Sequence, residues 1–177
     1  MSQVDMIMSG FGGQGIQAAG MLIAYAGMLE NKYVSWLPSY GPEMRGGTSN
    51  VHVIVSDEPV GSPVISEPQA LLVMNLPSLE KFEDLVMPGG FIIMDSSIID
   101  KKVRRKDVEV FELPATRIAN ELGNAAFSNI IMLGKFLAKT GVVAVESFEK
   151  ALKKVLPERK HHLIPGEMKA LQIGMSM

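Results

Sequence analysis

Cysteine is absent from the 177 residues, and that one absence removes several kinds of chemistry. Without thiolates the chain offers no iron–sulfur ligand, no zinc-ribbon site, no disulfide and no cysteine nucleophile. Histidine is scarce at three residues, which argues against a self-contained transition-metal site. An excess of either charge is missing too, since 17 Lys and Arg against 19 Asp and Glu leave a net charge of −2. A dedicated nucleic-acid binder usually shows a basic surplus, so no nucleic-acid partner is expected. No apolar run reaches the ~18 residues that a membrane helix needs. The first residues, MSQVDMIMSG, place Asp5 early and lead into a glycine loop, without the layout of a signal peptide. The expected compartment is the cytoplasm.

What is present is a chain that is 47% hydrophobic and long enough to bury a sizeable core as one domain spanning 1–177. Val4–Ser9 reads as a short buried strand that stops at Gly10-Phe11-Gly12-Gly13-Gln14-Gly15. Ile16 to Glu30 follows with helical spacing, Ala19, Ile23 and Ala26 on one stripe and Gly20, Ala24 and Gly27 beside it. Small residues there let a helix lie close to a sheet. A second strand is predicted at Tyr33–Leu37, then a polar, glycine-rich loop over 38–50, then a strand at Val51–Val55. Further strands are expected at Ala70–Met74, Phe91–Met94 and Val108–Leu113. Helices are expected at Ser78–Val86, Ala115–Leu122, Asn129–Lys139, Glu146–Val155 and Gly166–Ile173. Strands alternating with helices call for an α/β fold, a Rossmann-like three-layer sandwich around a mostly parallel sheet.

Gly10, Gly12 and Gly15 satisfy G-x-G-x-x-G between a strand and a helix, with Gly13 and Gln14 inside the pattern. Such a loop permits a tight turn, and the free N–H groups at the helix start favour an anion. The dinucleotide version also places an acid at the end of the second strand to hold a ribose. Here that strand ends Trp36-Leu37-Pro38-Ser39, with no carboxylate. The loop therefore reads either as a phosphate or partner contact, or as a glycine turn that packs the helix. The segment Gly41–Asn50 gathers Glu43, Arg45, Thr48, Ser49 and Asn50 among glycines. Arg45 can fork onto a carboxylate or phosphate, or brace the loop with Glu43.

Asn75 and Asp95 each follow an apolar strand, where parallel sheets place ligand groups, yet both residue types also cap helices and turns. The basic run Lys101, Lys102, Arg104, Arg105 and Lys106 reads as a solvated connector or a face for an acidic partner. His161 and His162 are adjacent and diverge, and the 13 methionines read as core filler. No catalytic triad, carboxylate pair or metal set stands out. From the residues alone this is a ligand- or partner-binding α/β domain.

Two segments resemble one family. Gly10-Phe11-Gly12-Gly13-Gln14-Gly15-Ile16 and Gly41-Pro42-Glu43-Met44-Arg45-Gly46-Gly47-Thr48-Ser49-Asn50, with Ser62-Pro63 downstream, are similar to the gamma subunit of the 2-oxoacid:ferredoxin oxidoreductases. Pro114-Ala115-Thr116 through Ala119 to Leu122-Gly123-Asn124, with Asn129 and Gly134, resembles that family's later signature. One departure stands near the end: members tend to carry an Asn three residues before an Ala, and this chain has Glu167 before Ala170.

The resemblance implies a Rossmann-like domain that binds no cofactor alone. It implies alpha and beta partner chains carrying thiamine diphosphate and magnesium. Iron–sulfur clusters sit on the beta chain, a ferredoxin-like delta chain, or both. The complex it implies decarboxylates a 2-oxoacid, passes electrons to ferredoxin and releases an acyl-coenzyme A; a short free-standing gamma chain is similar to those of the 2-oxoglutarate and branched-chain 2-oxoacid enzymes, and of these 2-oxoglutarate is the expected substrate. On this resemblance, coenzyme A or subunit contact falls at Gly10, Gly12, Gly13, Gln14 and Gly15, and at Gly41, Pro42, Glu43, Met44, Arg45, Gly46, Gly47, Ser49 and Asn50. The alternatives are a stand-alone nucleotide-dependent enzyme and a pure assembly module. A surface built for partners also makes a homodimer of the isolated chain an expectation.

Overall fold

A computed structural model describes residues 3–39 and 48–177. The strands are β1 (Gln3–Phe11), β2 (Tyr33–Ser39), β3 (Thr48–Ser56), β4 (Ala70–Val73), β5 (Phe91–Asp95) and β6 (Glu109–Leu113). The α-helices are α1 (Ile16–Leu29), α2 (Leu76–Phe82), α3 (Ala115–Glu121), α4 (Ser128–Thr140), α5 (Val145–Val155) and α6 (Ile164–Ser176). Short 3₁₀ segments at Glu83–Leu85, Ala125–Phe127 and Glu158–Leu163 lead out of α2 and into α4 and α6.

The six strands form one sheet in the order β2-β3-β1-β4-β5-β6. The pairs β1–β4, β4–β5 and β5–β6 are parallel, whereas β3 runs antiparallel to both β1 and β2. The expected α/β class and mostly parallel sheet are what the chain forms. The antiparallel pair has a consequence for the glycine loop. A dinucleotide fold sets its second strand beside its first, so that the strand-end acid reaches the ribose. Here β3 separates β1 from β2, and the end of β2 lies two strands away.

Period-2 alternation splits the core in two. Val4, Met6 and Met8 of β1, with Val51, Val53 and Val55 of β3, face the larger cluster under α1, α4, α5 and α6. Ile7 and Ile54 point the other way, toward Leu79, Phe82, Val86 and Ile99. The sandwich is thus thick on one face and thin on the other, where α2 is the only α-helix among the described residues. Gly20 of α1 stands against Val51 and Val53, which is the close approach that its small stripe predicts.

Two boundaries differ from the sequence reading near the site. β1 continues through Gly10 to Phe11, and β3 starts at Thr48, not Val51. Both extensions have one cause: Gly10 pairs with Ser49 and Phe11 with Thr48, so backbone pairing overrides a polar local sequence. At the far end the helix expected at Gly166–Ile173 runs over Ile164–Ser176, with Pro165 in its first turn, where proline is tolerated.

Candidate functional site

The glycine loop is a braced junction at the end of β1. Gln14 donates from Nε2 to the Met74 carbonyl at 3.2 Å and accepts the Phe11 amide on Oε1 at 2.6 Å. Its own carbonyl accepts from Asn129 Nδ2 at 2.9 Å. One residue therefore ties the loop to β4 and to α4. Gly15, at φ 73°, is the N-cap of α1 with no side-chain cap, and a Cβ there would collide with the Asn129 amide. A left-handed conformation and an occupied space both demand glycine at that point.

The structure brings the glycine loop and the described ends of the second loop to one end of the sheet. Ser49 and Asn50 open β3 opposite Gly10 and Ser9, and Ser39 ends β2 opposite Asn50. Gln17, in the first turn of α1, donates to Ser49 Oγ at 2.9 Å and to the Asn50 carbonyl at 3.0 Å. Gly41, Pro42, Glu43, Met44, Arg45, Gly46 and Gly47 lie outside the described residues. Gly12 and Gly13 are exposed on the loop, and Phe11 at its shoulder is 39% exposed despite its ring.

Sequence reasoning did not single out the residues that complete this end of the molecule as site residues. A cavity of about 260 Å³ opens between the glycine loop, the start of α1 and the C-terminal helices. Gly13, Gly15, Ala18 and Leu22 form one wall, and Asn129, Lys160 and Glu167 stand among the residues opposite. A smaller cavity of about 230 Å³ lies against Gly13 and Gln14 as well, beside Thr116 and Ser128. The loop is thus shared by two hollows.

Burial pushes the Glu167 carboxyl up to about 7, opposed in part by Lys160. Its Oε2 is buried and has no hydrogen-bond partner among the described residues, a property it shares with Gln17 Oε1 and Asn75 Nδ2. Buried polar groups are normally paired, so orphans of this kind mark either strain or a place where something else binds. Two of the three sit beside the glycine loop's own partners: Gln17 within the first turn of α1, and Asn75 next to Met74.

Other candidates resolve into structure. Asn75 caps α2, accepting the Ser78 amide at 2.9 Å. Asp95, fully buried, accepts from Thr116 Oγ1 at 2.6 Å and from the Thr116 and Ser97 amides, which fixes the start of α3. The basic run is a connector clamped by acids: Lys101 to Glu80, Lys102 to Glu112, Arg104 to Glu83 and Asp84, and Arg105 to Asp107. His161 meets the Leu156 carbonyl at 3.0 Å. No group of three His, Asp or Glu able to hold a metal occurs among the described residues.

A family model described as pyruvate ferredoxin/flavodoxin oxidoreductase matches residues 5–177. The chain belongs to that family. Among curated relatives it is 38% identical over 174 residues to the ketoisovalerate oxidoreductase subunit VorA of Methanothermobacter thermautotrophicus, covering 97% of this chain and 36% of the relative. It is also 38% identical to the 2-oxoglutarate synthase subunit KorC of Methanocaldococcus jannaschii, covering 87% of this chain and 84% of the relative. The chain thus spans about a third of VorA and most of KorC. Among solved structures, a keto/oxoacid ferredoxin oxidoreductase gamma subunit from Geobacter sulfurreducens superposes with a TM-score of 0.83 at 31% identity, covering 98% of this chain and 96% of that one. A 2-oxoglutarate:ferredoxin oxidoreductase from Magnetococcus marinus, at 18% identity, shares the fold with a TM-score of 0.88 over 99% of this chain and 31% of that one.

The residues of this chain do not fit an iron–sulfur cluster, and the described ones do not fit a metal ion. The chain has no thiolate for a cluster, and its described residues assemble no carboxylate or imidazole group for a metal. No helix among the described residues is long and apolar enough to cross a membrane.

Proposed function

We propose that this chain is the gamma component of a 2-oxoacid:ferredoxin oxidoreductase and works only in complex with thiamine-bearing partner chains. The reaction joins a 2-oxoacid and coenzyme A, releases carbon dioxide and an acyl-coenzyme A, and passes an electron pair and a proton outward, the electrons to ferredoxin. The observation that carries this reading is the near full-length match to KorC and to the Geobacter gamma subunit, combined with a chain that has no cluster ligand of its own. The match to KorC supports 2-oxoglutarate as the substrate. Alpha, beta and delta chains, all cytoplasmic, are the expected companions.

Within that complex the glycine loop and the segment Gly41–Asn50 contact coenzyme A or a partner chain. Two features support it: exposed backbone at the N-terminus of a 14-residue helix suits a phosphate, and three orphaned buried polar atoms lie at this end of the sheet. The test is reconstitution. The purified chain alone should turn over no 2-oxoacid, and reduction of a low-potential acceptor should require both coenzyme A and the partner chains. Turnover by the isolated chain would refute the proposal. Arg45→Ala should raise the KM for coenzyme A in the assembled enzyme; a lowered yield of complex with an unchanged KM would favour the pure assembly module.

A further inference from the structure

The two edges of the sheet are finished differently. β6, at one edge, is guarded by charge: Glu109 pairs with Lys139 and Glu112 with Lys102, and Lys135 Nζ stands 4.2 Å from the centre of the Phe111 ring. Charges of this kind stop an open strand from pairing with another chain. β2, at the other edge, has no such guard. No Asp, Glu, Lys, Arg or His occurs in Tyr33–Ser39, nor anywhere from Met6 to the end of α1 at Leu29. No strand among the described residues pairs with the outer side of β2.

Apolar side chains flank that bare edge on both faces. Val34 and Trp36 point to the thick face, where Trp36 Nε1 donates to the Gln17 carbonyl at 3.2 Å and Gly27 rests against Val34. α1 is thereby held over β2 and β3, and it leaves Tyr25, Met28 and Leu29 exposed, Met28 at 55%. On the thin face, alternation along β2 leaves Tyr33 and Leu37 exposed as well, Tyr33 at 50%. A strand edge without an internal partner, ringed by exposed large apolar side chains, is a surface that association would bury.

We propose that this edge pairs with β2 of a second copy of the chain, antiparallel across a two-fold axis, so that the two sheets join and the two α1 helices meet beside them. The pairing goes beyond the gamma assignment and stands without it. A closed two-fold contact sets a patch against itself, so a charged patch repels its copy; this one carries no charge to repel. The nearest charges in the chain, Glu30 and Lys32, precede β2. Antiparallel pairing sends the two copies of Lys32 to opposite ends of the joined strands, on the order of 20 Å apart. Lys32 is also engaged already, donating to the Val142 carbonyl at 2.8 Å. A partner of different sequence is selected by charges and polar groups that answer its own, and this edge offers only hydroxyls and backbone. Pro38 cannot donate, which leaves Tyr33–Leu37 as the pairing stretch.

The test is the mass of the full chain in solution, compared with variants that copy the guard on β6. Wild type should sediment as a dimer at micromolar concentrations. Tyr33→Lys and Leu37→Lys each place a cation on the bare edge and should raise the dimer dissociation constant about tenfold or more. Leu85→Lys, at an exposed apolar residue after α2, should leave that constant within about twofold. Because the chain has no cysteine, Ser35→Cys introduces a single thiol in the middle of β2. A short bismaleimide should link it to its copy, and Ser97→Cys, beyond the end of β5, should stay unlinked.

A monomeric wild type overturns the proposal. So does a dimer that survives both lysine variants unchanged, since another face then holds it. If wild type is monomeric alone and the lysine variants cut the yield of the assembled complex, a partner chain covers the edge and the second copy is refuted. Should a lysine variant fail to fold, the cross-link decides: equal linking of Ser35→Cys and Ser97→Cys, or linking of neither, refutes the pairing. Turnover by a reconstituted complex reads the gamma assignment separately, so failure of one is not failure of the other.

Discussion

Glu83 and Glu167 are both buried glutamates, at 1% and 8% exposure, and they sit in regions with opposite logic. Glu83 lies after α2 on the thin face. Its Oε1 accepts the amides of Arg104 and Arg105, and its Oε2 meets the Arg104 guanidinium at 3.4 Å. Both oxygens of that carboxylate are answered from within the chain. Glu167 lies on the thick face beside the glycine loop, with one oxygen unanswered and a lone cation nearby. A carboxylate that holds the fold together collects its partners from the fold. One retained at an energetic cost, without partners, points to a requirement that stability does not explain.

The sharpest way to break this comparison is to remove the answered carboxylate. Glu83→Ala leaves two backbone amides without their acceptor and takes from Arg104 one of its two carboxylates, the other being Asp84, and should cost about 3 kcal/mol or more of unfolding free energy. Chemical denaturation of the isolated chain measures it. A loss below about 1 kcal/mol would mean that water replaces the carboxylate freely, and the contrast with Glu167 would vanish.

Much of this contrast was half-legible beforehand. The connector role of Lys101 to Lys106 and the capping role of Asn75 follow from residue types next to strands and turns, because local hydrogen bonding decides them. The strand–loop–helix unit around Gly10 to Gly15 was legible for the same reason. The antiparallel β2–β3 pair was not, since alternation of Val51, Val53 and Val55 encodes which face is buried but not strand direction. Thr48 to Asn50 read as loop because their polarity outweighs any strand signal; only the pairing with the end of β1 makes them a strand. Glu167 was noticed only as a departure from a resemblance. Its burial depends on Gly134 and Gly174 letting α4 and α6 touch backbone to backbone, a contact between residues 40 apart in the chain.

A pH series tests the unanswered carboxyl on its own. The folded carboxyl at about 7 is raised above its ordinary value of 4.5, so the stability it contributes is fully present below about pH 4.5 and is lost as pH rises through about 7. Between pH 5 and pH 8 wild type should lose about 2 kcal/mol relative to Glu167→Gln, which carries no titrating group there. Parallel stability curves for the two proteins would show that water or a rearranged Lys160 already solvates the carboxylate.

The smallest effect carries the most information about why the residue is there. Glu167→Leu fills the same helical position with an aliphatic side chain of good helix propensity, removes an orphaned oxygen and extends the wall made by Leu22, Ile130 and Leu163. Near pH 5.5, where the acid is mostly neutral, the gain should be about 1 kcal/mol, or a rise in Tm of about 2–4 °C for a chain of this size. At pH 8 the gain should be larger, because the wild-type group is then an unpaired buried charge. A variant that is more stable yet less active in the assembled complex would place Glu167 where stability is given up for function. If Leu instead lowers Tm at both pH values, the carboxyl is held by the fold after all, and Glu167 joins Glu83 as a structural residue.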